Sequence, residues 1–171
     1  MTSTRPLSSA DQPAPHLLAV DAGLHTGLAL YNRASQLLWY RSHHLADQQK
    51  LKRLVATLLR STPQPTHIYL EGGGPLAELW QREALKLERV FVQLHAGQWR
   101  QQLFYARQHP SGRVAKQQAL LMASGVIDHL GHKKPTGLRH DTAEAILIGL
   151  YGLLDLGWLE CWPPKRSTSD G

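Results

Sequence analysis

Leu17-Leu18-Ala19-Val20-Asp21 is a short apolar run that ends on an acid, and the fold is read outward from it. Gly23 follows, then Gly27-Leu28-Ala29-Leu30-Tyr31 and Leu37-Leu38-Trp39-Tyr40, with turn-bearing gaps between them. Such spacing predicts three short antiparallel strands. A second apolar run ending on an acid, His67-Ile68-Tyr69-Leu70-Glu71, predicts a fourth strand, and Gly72, Gly73 and Gly74 turn the chain away from its end. Between these strands Leu51, Leu54, Val55, Leu58 and Leu59 recur at helical spacing, with Lys50, Lys52, Arg53 and Arg60 on the other face, until Pro63 and Pro65 stop the pattern.

Beyond the glycines, Leu76, Leu79, Trp80, Ala84 and Leu87 mark another amphipathic helix, and Val90-Phe91-Val92-Gln93-Leu94 a fifth strand. Gln98 to Gly112 reads as polar and irregular, Val114 to Ala123 as a helix, and His132 to Leu138 as a loop. The last element, from about Arg139 to Leu156, is apolar on most sides, as a helix laid against a sheet must be. The expected order is β-β-β-α-β-α-β-α-α, an α/β fold with no internal repeat.

The chain has 171 residues, 42% of them hydrophobic, which is enough for one core and too few for a two-lobed enzyme or two domains. It also rules out a wholly disordered chain. One domain is expected over residues 16–160, with a flexible leader at 1–15 and a flexible tail at 161–171. Cys161 is the only cysteine, so no internal disulfide forms and a reducing compartment follows. The greasiest stretch, Ala145 to Trp158, is interrupted by Gly149, Gly152 and Asp155, so no membrane span is expected. The leader has no apolar core of a secretory signal and no clear transit peptide. A cytoplasmic location in a bacterial or phage-infected cell is expected, with an organelle as the alternative.

The formal charge of +6 points to an acidic partner, and its distribution says more. From Arg89 to His140 there are eight cations, Arg89, Arg100, Arg107, Arg113, Lys116, Lys133, Lys134 and Arg139, against the single acid Asp128. That stretch carries +7 and the rest of the chain −1. It reads either as a solvated face or as a track for phosphates.

Asp21 and Glu71 stand at the C-terminal ends of expected strands, where α/β proteins present side chains to ligands. Asp141 and Glu144 open the last helix three residues apart, on one face. Each acid has an ordinary reading, as a surface residue or as a helix-start acid favoured by the macrodipole. Converged, however, four carboxylates repel one another, and a divalent cation relieves that repulsion. All-oxygen donors suit Mg²⁺, with Mn²⁺ as a substitute, and two such ions serve phosphodiester hydrolysis. His140, beside Asp141, is either a further metal ligand or water-activating group, or a surface histidine at a helix start.

Ala19-Val20-Asp21-Ala22-Gly23-Leu24-His25-Thr26-Gly27-Leu28-Ala29, Ile68-Tyr69-Leu70-Glu71 and His140-Asp141-Thr142-Ala143-Glu144-Ala145 together resemble the three acidic motifs of RuvC-type Holliday junction resolvases, which have the ribonuclease H-like fold. The segment from Ala143 to Gly152 also resembles the chloroplast resolvases. The resemblance runs from about Leu17 to Leu156, with the acids 50 and 70 residues apart in order.

It implies a five-stranded mixed sheet flanked by helices, and a homodimer that cuts four-way DNA junctions using two Mg²⁺ ions per site and no organic cofactor. Asp21, Glu71, Asp141 and Glu144 would be its catalytic, metal-binding acids. Glu144 stands where bacterial members often have Asp. Arg100 and Lys116 resemble the family's basic residues, and Arg107, Arg113, Lys133, Lys134 and Arg139 extend the expected DNA contacts. Many bacterial members have an aromatic wedge just after the second acid. Here Gly72-Gly73-Gly74-Pro75 takes that place, and Leu76 and Trp80 are the substitutes at hand.

Two other readings use the same residues. One is a catalytically silent module that binds branched nucleic acid, with the acids as remnants. The other is a ribonuclease H-like nuclease acting on a different branched or RNA substrate. A sugar-kinase or actin-like phosphate turn at Asp21 to Gly27 would need a second lobe, for which 171 residues leave no room.

Overall fold

A computed structural model describes residues 14–45, 47–95, 97–104, 112–130, 133 and 137–163. The leader expected at 1–15 and the tail expected at 161–171 lie almost wholly outside these residues, as do Arg107, His132 and Lys134. The elements are β1 (His16–Asp21), β2 (His25–Asn32), β3 (Leu37–His44), α1 (Gln48–Leu59), β4 (His67–Glu71), α2 (Gly74–Lys86), β5 (Val90–Leu94), α3 (Gln98–Leu103), α4 (Arg113–His129) and α5 (His140–Asp155).

The fold is α/β, with a five-stranded sheet in the order β3-β2-β1-β4-β5. β1 pairs antiparallel with β2 and β2 with β3, whereas β4 runs parallel to both β1 and β5, so the sheet is mixed. Side chains alternate across the central strands. Leu17, Ala19, Ala29, Tyr31 and Tyr69 enter a core shared with α4 and α5. Leu18, Val20, Leu28, Leu30, Ile68 and Leu70 enter a second core shared with α1 and α2. Burial on both faces explains why the strands read as continuous apolar runs rather than as alternating ones.

The final helix is the largest single contributor to the first core. Ala143 and every residue from Ala145 to Leu153 are buried along it, and each large aliphatic side chain so buried stabilises by roughly 1.5–3 kcal/mol. Its close approach to the sheet depends on Gly149, where an added Cβ would stand 2.2 Å from the Tyr31 ring. The fully buried Tyr31 donates its hydroxyl proton to the Ile146 carbonyl at 2.8 Å, locking strand to helix. Tyr69 does the same for the far end of α5, donating to Asp155 at 2.6 Å. Among the described residues no helix is long and apolar enough to cross a membrane.

Three expectations are corrected. The segment from Gln98, read as irregular, begins with helix α3, which carries the buried Trp99. The fourth helix continues past Ala123 to His129. Trp80 is fully buried in the second core, so it is unavailable as an exposed wedge.

Candidate active site

One register row crosses the whole sheet: Ser42 of β3, Gly27 of β2, Asp21 of β1, Glu71 of β4 and Leu94 of β5. Asp21 and Glu71 are therefore direct neighbours on parallel strands. Each lies two residues beyond a side chain of the α5-side core, Ala19 and Tyr69, so the strand alternation aims both carboxylates at the α5 face. Their backbones are further tied where Ala22 N–H donates to the Glu71 carbonyl at 2.9 Å.

The first turn of α5 settles on this row because residue 27 is glycine. A Cβ there would stand 1.8 Å from the Asp141 carbonyl oxygen, a backbone contact that no rotamer change relieves. In that seat Asp141 accepts a short hydrogen bond from the Ser42 hydroxyl, and Glu144 follows one turn along the same face. From the other side α3 brings Trp99 and Arg100. The indole N–H of Trp99 donates to Glu71 Oε2, and Arg100 donates to Glu144 Oε1 at 2.5 Å while a second guanidinium nitrogen stands 3.8 Å from Glu71 Oε1. Arg100 also lies over the Trp99 ring, 4.3 Å from its centroid.

Electrostatics follow from the crowding. Burial, then the charges of Glu144 and Glu71, a hydrogen bond that the protonated carboxyl donates to Glu144, and the charge of Asp141 push the Asp21 carboxyl from its ordinary 3.8 up to about 8. Burial also raises Glu71, against the opposing pull of the Trp99 hydrogen bond and the Arg100 charge. The four acids read from the sequence are thus brought to one place. Arg100, distant from them in sequence, lies among them as a counter-charge.

A cleft of about 470 Å³ opens above the acids, lined by Asp21, Asp141, Glu144, Lys116, Arg139, His140 and His25. Exposed His140 opens α5 and lines this cleft beside Asp141. Lys116 and Arg139 are exposed at its rim. Arg113 and Lys133 are exposed and do not line the cleft; the Lys133 carbonyl accepts from the Tyr40 hydroxyl at 3.0 Å. Sequence reasoning missed Ser42, the donor role of Trp99, and His25, whose Nδ1 stands 3.3 Å from that of His44 on the facing strand. The polar run Arg41-Ser42-His43-His44, lying after an apolar strand, was the available signal for a longer β3.

The donor set fits a hard divalent cation. It consists of carboxylate oxygens without thiolate, and the one guanidinium among them is a single positive charge against four carboxylates. Among the described residues no three His, Cys, Asp or Glu side chains already form a coordination shell. Oxygens of Asp141, Glu71 and Glu144 are instead engaged by Ser42, Trp99 and Arg100.

No protein-family model matches the chain. No curated protein matches it either. Among solved structures, similarity is found to a chain in the cryo-electron microscopy structure of the simian T-cell lymphotropic virus intasome in complex with PP2A regulatory subunit B56 gamma. The identity is 6% and the TM-score 0.32, over 80% of this chain and 47% of that one, so this chain spans about half its length.

Proposed function

We propose that this chain is a ribonuclease H-like, RuvC-type endonuclease that resolves four-way DNA junctions by paired nicking as a homodimer. The observation that carries the reading is the convergence of Asp21, Glu71, Asp141 and Glu144, strong enough to raise Asp21 to about 8. Such a cluster is costly to keep unless a cation is to be held. The five-stranded mixed sheet flanked by helices, with Asp21 and Glu71 at the C-terminal ends of β1 and β4, is what the resemblance implies.

Asp21, Glu71, Asp141 and Glu144 would hold two Mg²⁺ ions, which supply an activated water and stabilise the departing oxygen of a phosphodiester. The chain's own residues do the positioning. Ser42 fixes the rotamer of Asp141 and the Trp99 indole fixes that of Glu71, so two of the four acids are held before substrate arrives. Lys116 and Arg139, exposed at the cleft rim, would hold phosphates of the bound strand. Arg113 and Lys133, exposed outside the cleft, would add contacts to the DNA backbone, which give affinity without sequence readout, and Arg107 and Lys134 are proposed for the same role from the sequence alone.

Strand mapping on a synthetic four-way junction tests the reading. With Mg²⁺ the expected products are nicks at symmetry-related positions on two opposed strands, while linear duplex and RNA–DNA hybrid are left whole. Preferential cutting of the hybrid would replace the junction assignment with another ribonuclease H-like activity. Junction binding without cutting under any divalent cation would leave only a binding module.

A further inference from the structure

Arg100 is the one cation that bonds directly to two of the four acids among the described residues. Its guanidinium touches Glu144 Oε1 at 2.5 Å and approaches Glu71 Oε1 at 3.8 Å, the two carboxylates that α5 and β4 contribute to opposite sides of the cluster. A dication on those oxygens would stand against a guanidinium, a like-charge contact within a partly desolvated site. A single monovalent group also under-compensates four carboxylates, so the exchange of Arg100 for a dication is favourable on charge alone.

The mounting of Arg100 suits such an exchange. Trp99, the residue before it, is fully buried and anchors α3, whereas the Arg100 side chain is 30% exposed and the Glu144 side chain 23%. The guanidinium rests on the indole as on a shelf, at 4.3 Å from its centroid. An ion pair whose two side chains both reach water is partly screened, so it restrains the acids without trapping them. The Trp99 hydrogen bond to Glu71 does not involve Arg100.

We infer that Arg100 is a built-in counter-ion which yields its place on Glu144 and Glu71 to a divalent cation, so that cation binding releases its guanidinium toward the cleft and a substrate phosphate. The inference rests on the metal-nuclease reading above. Linkage makes the exchange reciprocal: a phosphate that draws Arg100 away raises the affinity of the acids for the cation. The site is thereby kept folded and unreactive until cation and phosphate are both present.

Two measurements on the whole chain test this. In ¹⁵N-labelled wild-type protein, the Arg100 Nε–Hε resonance, assigned through bonds, should move as Mg²⁺ is added, with the midpoint that calorimetry gives for Mg²⁺ binding. Arg100→Gln should bind Mg²⁺ about tenfold more tightly than wild type, and Arg100→Lys close to wild type. A resonance that stays still while calorimetry records binding, or an Arg100→Gln protein that binds no more tightly, overturns the exchange and leaves the nuclease reading standing. Absence of Mg²⁺ binding to both wild type and Arg100→Gln overturns the nuclease reading and the exchange with it.

Discussion

Ser42 and Asp141, 99 residues apart in the chain, are joined by a hydrogen bond from the hydroxyl of an edge strand to the carboxylate that opens the last helix. The bond spans the gap left by Gly27 and fixes the acid of α5 relative to the acids of β1 and β4. Its loss should matter more to activity than to stability. Ser42→Ala is expected to lower junction cleavage about 10- to 100-fold, as loss of a partner of a metal-holding side chain does, while shifting the thermal midpoint by no more than a few degrees. Single-turnover rates beside a thermal melt would check this.

Gly27 sets the distance between sheet and helix. Gly27→Ala puts a methyl group against the Asp141 backbone, so α5 must back away from the row of acids. A cost of about 1–3 kcal/mol is expected, with cleavage lost even where the protein stays folded. Urea denaturation and the junction assay on the same sample separate the two effects.

The raised Asp21 carboxyl gives the metal-free protein a defined pH dependence. Its folded-state value, about 8, lies above the 3.8 of the unfolded chain, so the folded protein holds that proton more tightly. The stability it contributes is complete below about pH 4 and is lost as pH rises through about 8. Melts in chelator should therefore show wild type losing stability between pH 5 and pH 8.5. Asp21→Asn, which cannot ionise, should lose less and exceed wild type at pH 8.5 by on the order of 2–4 kcal/mol. Parallel curves would mean that the acids do not crowd Asp21.

Much of this arrangement is legible in the sequence, and the limits have physical causes. The five strands and the places of Asp21 and Glu71 follow from apolar runs too short for helices, of which β1, β2 and β4 are buried on both faces. Helix α5 follows from a composition that is apolar on most sides. A six-residue helix such as α3 completes fewer than two turns, so Trp99 and Arg100 carry no periodicity to reveal it. Their arrival at Glu71 and Glu144 is tertiary. The end of β3 was hidden because Arg41 to His44 sit on an edge strand near the cleft and are polar. Ser124 and Gly125 look like a helix end, yet α4 runs through them to His129 because Val126 and Ile127 bury against α5.

The rim cations should act through phosphate. Lys116→Ala and Arg139→Ala are each expected to weaken junction binding at low salt and to reduce the slope of log affinity against log salt by about one. Binding to junctions of different sequence should fall equally. Fluorescence anisotropy across a salt series measures both.

The central claim is that Asp21, Glu71, Asp141 and Glu144 form a cation-dependent cutting site. The most direct measurement compares wild type with Asp21→Asn on one labelled four-way junction, scoring binding in chelator and cutting after Mg²⁺ is added. The account predicts that both proteins bind and that only wild type cuts. Cutting by Asp21→Asn at the wild-type rate, or none by wild type with Mg²⁺ or Mn²⁺, would contradict it.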